Sequence, residues 1–304
     1  MAPMLGYDAP NATRLSRDLA GNAILRKMKP MTVSRRAFRA LFAAALGVSL
    51  ATSAGVAAPS EPADEFWPAL KRDLFQNRDI SENSGVVTLE TPMKAEDAAL
   101  VPMTMSVGLP QGDSRRVVKM SLVIDENPVP LAGTFTLGDK GGVVQIETRV
   151  RVNADTYVHL VAELSDGSLT EAKRYVSAAG GCSSPSIKTL DALGSSLGQL
   201  KFILLPDLVH GRRAAVVMIR HPNFTGMQMD DRTHDYTPAR YVDHFAVYQD
   251  NDLVFSVDGG ISISEDPNFR FAFAAGPNRT LRVEASDNSG ARFTSSWPIL
   301  ASGG

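Results

Sequence analysis

The chain has a single cysteine in 304 residues, which excludes an internal disulfide and any multi-cysteine zinc or iron–sulfur site. Stability must come from packing. An excess of charge of one sign is also lacking: the formal net charge is −2 and the basic residues are dispersed, so no electrostatic footprint for nucleic acid is present. A nucleophile elbow, a phosphate loop, an HExxH helix and a dinucleotide fingerprint are all missing, which removes the common hydrolase, NTPase, zincin and oxidoreductase signatures. The longest apolar run, Ala40 to Ala51, is too short for a comfortable membrane span. What remains is a 44% hydrophobic, 21% charged chain, long enough for one large domain or two ordinary ones.

The apolar run belongs to an export signal. Ser34-Arg35-Arg36-Ala37-Phe38 precedes it and Ser53-Ala54-Gly55-Val56-Ala57-Ala58 follows, giving a basic region, an apolar region and small residues before a cleavage point. Paired arginines beside a phenylalanine favour the twin-arginine route, so residues 1–58 are expected to be an N-terminal extension and signal peptide, with a retained anchor as the alternative. Residues 1–30 show no pattern, and Met31 just before the arginines suggests an over-long start. The expected address is the periplasm, with no membrane span after processing.

An amphipathic helix is predicted from about Asp64 to Arg78, because Trp67, Leu70, Leu74 and Phe75 share one helical face. Asp64 can cap it and Pro68 is tolerated in its first turn. Core packing is its expected task, with partner docking the alternative. From residue 85 the period becomes two. Strands are predicted at 86–90, 103–107, 117–124, 134–137, 143–152, 156–164 and 169–176, with Asp166-Gly167 as a hairpin turn. In the sixth, Val158, Leu160, Ala162 and Leu164 point one way and His159 and Glu163 the other, predicting one buried face. Residues 64–178 therefore read as an immunoglobulin-like sandwich.

Residues 179–198 turn to Ser, Gly and Pro and read as an arm and linker, with a helical turn or two within 187–197. Strand pattern resumes at 200–205, 215–219, 240–248, 253–257, 269–273, 281–285 and 292–297, so 199–301 is expected to be a second sandwich. Phe269, Phe271 and Phe273 mark a core face, while Asp258-Gly259-Gly260 and Asp287-Asn288-Ser289-Gly290 mark turns. The fold class is all-β: two immunoglobulin-like sandwiches in tandem, in contact with each other, behind a short helix.

Cys182 lies between these halves, in Ala178-Ala179-Gly180-Gly181-Cys182-Ser183-Ser184-Pro185. Gly180, Gly181 and Ser183 predict a flexible, exposed arm. An incidental loop thiol, a catalytic cysteine and a covalent carrier are the readings open to it. Catalysis needs a base held in a fixed place, which a mobile arm opposes. A copper site from His221, Met227, His234 and His244 is weighed and set aside, because the ligands have no recognisable metal-site spacing; no metal and no resident cofactor are expected. A mobile thiol on a rigid body suits a covalent carrier.

The residues also carry a family resemblance. Gly180-Gly181-Cys182 at the end of the first sandwich resembles the carboxy-terminal GGCGG arm of SoxY, and Trp67 to Ile80 is similar to that family's leading helix. The second half resembles SoxZ through Leu200 to Pro206, Ala215 to Arg220, His221-Pro222-Asn223-Phe224-Thr225-Gly226, and the turn at Asp287 to Gly290. The resemblance implies a fused SoxYZ-like carrier of the kind associated with quinoprotein dehydrogenases. It also implies periplasmic location, Sox-type or dehydrogenase partners, no catalysis of its own, and a covalently bound sulfur intermediate on Cys182. In two places the chain departs from the pattern. Ser183-Ser184-Pro185 continues into the second half, tying the arm at both ends, and Asn223 stands where the family commonly has methionine. The competing function is an adaptor that docks a periplasmic dehydrogenase and leaves the thiol unused.

Overall fold

A computed structural model describes residues 63–82, 84–185, 190–230, 233–276 and 279–299; the signal segment at 1–58 lies outside them. Helix α1 spans Trp67–Phe75, and strands β1 to β8 are Ile80–Glu82, Val87–Glu90, Val101–Val107, Val117–Ile124, Leu131–Leu137, Gln145–Val150, Thr156–Leu164 and Leu169–Val176. A short helix α2, Leu190–Leu193, leads into a 3-10 turn at Gly194–Ser196. Strands β9 to β15 are Leu200–Val209, Arg212–Ile219, Val242–Gln249, Asp252–Gly259, Asn268–Phe273, Arg279–Asp287 and Arg292–Ile299.

These strands build two sheets. One runs β1-β8-β7-β4-β5-β12-β11-β14-β15 and the other β2-β3-β6-β13-β10-β9. In each half, three strands of the smaller sheet face four or five of the larger, which is the layering of an immunoglobulin-like sandwich. The halves are joined edge to edge twice. β5 pairs antiparallel with β12, placing Leu137 opposite Phe255 and Phe135 opposite Val257. β6 pairs antiparallel with β13, where Glu147 faces Arg270 across a 2.7 Å ion pair. One contiguous apolar core crosses this seam, from Leu89, Met103 and Leu122 through Phe135 to Phe255, Phe271 and Val283. The predicted face of Phe269, Phe271 and Phe273 lies within it, with all three rings buried.

The larger sheet is covered on its outer side as well, in the first half. Trp67 of α1 packs with Val123, Val161 and Leu169, flanked by Leu70, Leu74, Phe75 and Ile80. β7 is consequently buried on both faces, and His159, expected to face solvent, is fully buried beneath Trp67 with the rings stacked 3.8 Å apart. A helix laid on a sheet turns the polar side of an alternating strand into a second interior, which a period of two cannot announce. The helix is also shorter than predicted. Its N-cap is Phe66, with no side-chain cap, because Asp64 is engaged elsewhere: Lys173 of β8 donates to its Oδ2 at 3.1 Å. Asp258 and Gly259 end β12 rather than forming a turn; Gly259 is opposite Gly133 of β5. Among the described residues no helix is long and apolar enough to cross a membrane.

Candidate covalent attachment site

Gly180 to Ser184 form one tight, hydrogen-bonded turn. The backbone N–H groups of Ser183 and Ser184 both donate to the Gly180 carbonyl, at 3.2 and 3.0 Å, and so do their hydroxyls. The turn is fastened to the first half through Gly180 N–H to Asn153 O at 2.7 Å and Gly181 N–H to Val152 O at 3.0 Å. Gly180 has a φ of +72°, the left-handed region that glycine tolerates best. Gly181 serves a different need: a Cβ there would overlap the carbonyl oxygens of Ala98 and Val152. Both glycines are thus explained by shape. The sequence reading took Gly180, Gly181 and Ser183 as a flexible, exposed element; here the two glycines seat the backbone in a bonded turn, since glycine permits a close approach of backbones as readily as it permits motion.

Cys182 follows the turn inward and is fully buried, not exposed as the surrounding small residues suggested. Burial pushes its thiol pKa from 9.0 up to about 11, with the Arg151 guanidinium pulling weakly the other way. At neutral pH the sulfur is a thiol, and only the thiolate is a nucleophile. Two groups hold the cysteine from opposite halves of the protein. Arg151, itself buried, donates from Nη1 to the Gly181 carbonyl at 3.1 Å. Thr225 donates its hydroxyl to the Cys182 carbonyl at 2.7 Å.

Each clamp is braced in turn. Asn127 donates from Nδ2 to the Arg151 carbonyl and to Ser262 Oγ, at 2.8 and 2.9 Å, and accepts the Asn153 N–H at 2.8 Å. Gln228 Oε1 accepts the Thr225 N–H at 2.8 Å. Desolvation lowers the Arg151 pKa against the opposing fields of Glu265, Cys182 and Asp97, and its Nε has no hydrogen-bond partner.

His221 and His244 are engaged separately. His221 Nδ1 lies 2.7 Å from Asn223 Oδ1 and Nε2 lies 3.4 Å from Asp287 Oδ2; burial outweighs both neighbours and lowers its pKa. Asn223, the departure from the SoxZ pattern, also accepts the Val242 N–H at 3.1 Å and donates to the Ile263 carbonyl at 3.1 Å, so its place in this loop is structural. His244 Nδ1 pairs with Asp258 at 2.7 Å on the surface. Sequence reasoning missed Arg151 and Thr225 as neighbours of the thiol. The available signals were Arg151 set between Val150 and Val152 at the end of the predicted strand 143–152 and the Thr-Gly pair after His221-Pro222.

The family model described as sulfur oxidation protein SoxY matches residues 71–182, ending on the cysteine, and that described as sulphur oxidation protein SoxZ matches 208–298. The chain is a fused SoxYZ-like protein. Among solved structures, the sulfur carrier protein SoxY from Chlorobium limicola f thiosulfatophilum is 19% identical, covering 38% of this chain and 92% of its own, with a TM-score of 0.30. A superoxide reductase (neelaredoxin) from Ignicoccus hospitalis is 12% identical, covering 32% and 94%, with a TM-score of 0.28. These likenesses are too distant to inform the site. Comparison with curated proteins gives no match. In the SoxYZ-like frame, Cys182 is the last residue of the SoxY part, and its carbonyl is held by Thr225 of the SoxZ part.

Proposed function

We propose that this SoxYZ-like chain is a non-enzymatic carrier that holds a small sulfur-containing group covalently on Cys182 for presentation to partner enzymes. The observation that carries the reading is the position of the chain's single cysteine at the close of the SoxY match, on the seam with the SoxZ part. Its working place in this reading is the periplasm, reached through the Arg35-Arg36 signal, with Sox-type or quinoprotein dehydrogenase enzymes as partners.

Burial adds a step to the carrier cycle. Loading requires the turn to leave its seat, which breaks the bonds of Gly180 to Asn153, Gly181 to Val152, Arg151 to Gly181 and Thr225 to Cys182. At about 1 kcal/mol net for each, opening costs roughly 4 kcal/mol, and about one molecule in 10³ is open at any time. A partner that binds the open form shifts this population.

The same burial favours the adaptor as a second reading, because docking needs no accessible sulfur. Intact mass of the protein taken from the periplasm of its host, with and without reductant, separates the two. A reductant-sensitive adduct on Cys182, together with loss of function in Cys182→Ser, is the expected result. Full complementation of a deletion strain by Cys182→Ser overturns the carrier.

A further inference from the structure

We propose that Asp64, Asp125 and His159 form a binding site for one divalent transition-metal cation, best suited to zinc, at the junction of the N-terminal segment and the larger sheet. The site is separate from Cys182, and none of its residues takes part in the proposed carrier cycle.

Three elements meet there. Asp64 precedes α1, Asp125 directly follows β4, and His159 lies in the middle of β7. One ligand atom from each falls within 4.8 Å of the others. His159 Nε2 is 3.3 Å from Asp125 Oδ2 and 3.6 Å from Asp64 Oδ2. A charge-assisted hydrogen bond between these groups would be about 2.7–2.9 Å long. Two ligands held about 2.0–2.2 Å from a tetrahedral ion lie roughly 3.3–3.6 Å apart, so the spacing is that of a metal polyhedron edge.

Lys173 donates to Asp64 Oδ2, but several other polar atoms of the cluster are unspent. His159 is fully buried, yet neither ring nitrogen makes a hydrogen bond, and Asp125 Oδ1, Asp64 Oδ1 and Glu171 Oε2 also lack one. Leaving so many buried donors and acceptors unmatched is costly. A cation would satisfy the carboxylates and the imidazole together.

The surroundings have the form of an outer shell. Glu171 Oε2 lies 3.4 Å from Nδ1, on the far side of the ring from the two aspartates, where a small closure would give the carboxylate–histidine–metal arrangement that presents Nε2 to a cation. Trp67 stacks on the imidazole with the ring planes 8° apart and sets its orientation. Three carboxylates in contact, Asp64, Asp125 and Glu171, face one ammonium, Lys173. This excess of negative charge is one that a divalent cation would offset. A cavity of about 170 Å³ lined by Asp64, Asp125, Glu126, Asp155 and Tyr157 opens beside the ligands, giving a route in and room for a water as fourth ligand.

The rival arrangement is an imidazolium held between carboxylates without metal. Metal analysis of the full chain after exposure to zinc chloride and dialysis decides between them, followed by competition titration against a chromophoric chelator. The expected result is one equivalent of zinc with micromolar or tighter affinity. Asp125→Asn and His159→Gln should abolish binding, and Cys182→Ser and His221→Gln should retain it. Because buried variants can misfold, Asp64→Asn at the rim is the second arm: it should keep native circular dichroism, weaken zinc at least tenfold, and alter the visible bands of the cobalt(II) form. Substoichiometric zinc in the wild type, or unchanged affinity in Asp64→Asn and Asp125→Asn, overturns the proposal and leaves an ion-paired histidine.

Discussion

The two halves share one layered plan and differ in what lies outside it. In the SoxY part, α1 covers the outer face of the larger sheet, so β7 has eight of its nine residues buried and polar side chains such as His159 are driven inside. In the SoxZ part the outer face is open. β15 there alternates exposed and partly buried positions along nearly its whole length, and β9, at the edge of the smaller sheet, is largely exposed. One added helix of nine residues therefore gives the first half a buried polar layer on the outer face of its sheet, whereas the buried polar groups of the second half, such as His221 and Asn223, lie in its loops.

Breaking the seam should have the largest effect, because it removes the frame in which the halves can be compared. Gly138, just after β5, donates its N–H to the Val254 carbonyl at 3.0 Å, and a Cβ there would overlap the Leu253 carbonyl. Gly138→Val is expected to cost on the order of 5 kcal/mol, since backbone rather than a flexible side chain must yield. Urea unfolding should then show two transitions in place of one; a single transition at the wild-type midpoint would contradict the continuous-sheet description.

Truncating the tryptophan of each half sharpens the contrast. Trp67 is buried under α1, and Trp67→Ala should cost about 4 kcal/mol. Trp297 rests against the edge of the core with its ring 5.7 Å from Phe202, half-exposed, and Trp297→Ala should cost about half as much. Chemical denaturation of both variants tests the ranking, and equal losses would mean that the helix adds no second interior.

At neutral pH the smallest effect on stability concerns the thiol between the halves. Native Cys182 should alkylate about 10³-fold more slowly than in the unfolded chain at neutral pH, following the opening population, and Thr225→Val should speed native alkylation roughly fivefold by removing one bond. The folded pKa of about 11 exceeds the ordinary 9.0, so the folded state holds its proton more tightly. That contribution to stability is complete below pH 9 and is lost as pH rises through 11, with about 2–3 kcal/mol at stake. Midpoints measured from pH 8 to 11 should fall accordingly, and in Cys182→Ser this component of the fall should be absent.

Much of this was readable in advance, strand by strand. Every strand from β2 to β15 was marked by alternation or an apolar run, and β4, β7 and β8 were located to the residue. β1 escaped notice because Ile80–Glu82 is short and polar and owes its existence to parallel pairing with Leu169 to Glu171 of β8. The site was legible in its cysteine and in the Thr225-Gly226 motif, but not in its state. Whether Gly181 bends freely or seats a backbone against Ala98 depends on residues more than eighty positions away, and local composition carries no record of them. Likewise, Asp64, Asp125, His159 and Glu171 sit on separate elements at spacings no motif describes; the pairing of β4, β7 and β8 gathers the last three, and the segment leading into α1 adds Asp64.

Because β5–β12 and β6–β13 join the halves within one chain, the seat that Thr225 provides for Cys182 is present at a fixed effective concentration set by the fold. Dilution cannot remove it. Were the same two parts separate polypeptides, burial of the sulfur would depend on how much of each the cell made; here the ratio is always one to one, and closure of the turn is a unimolecular event whose equilibrium is independent of protein abundance.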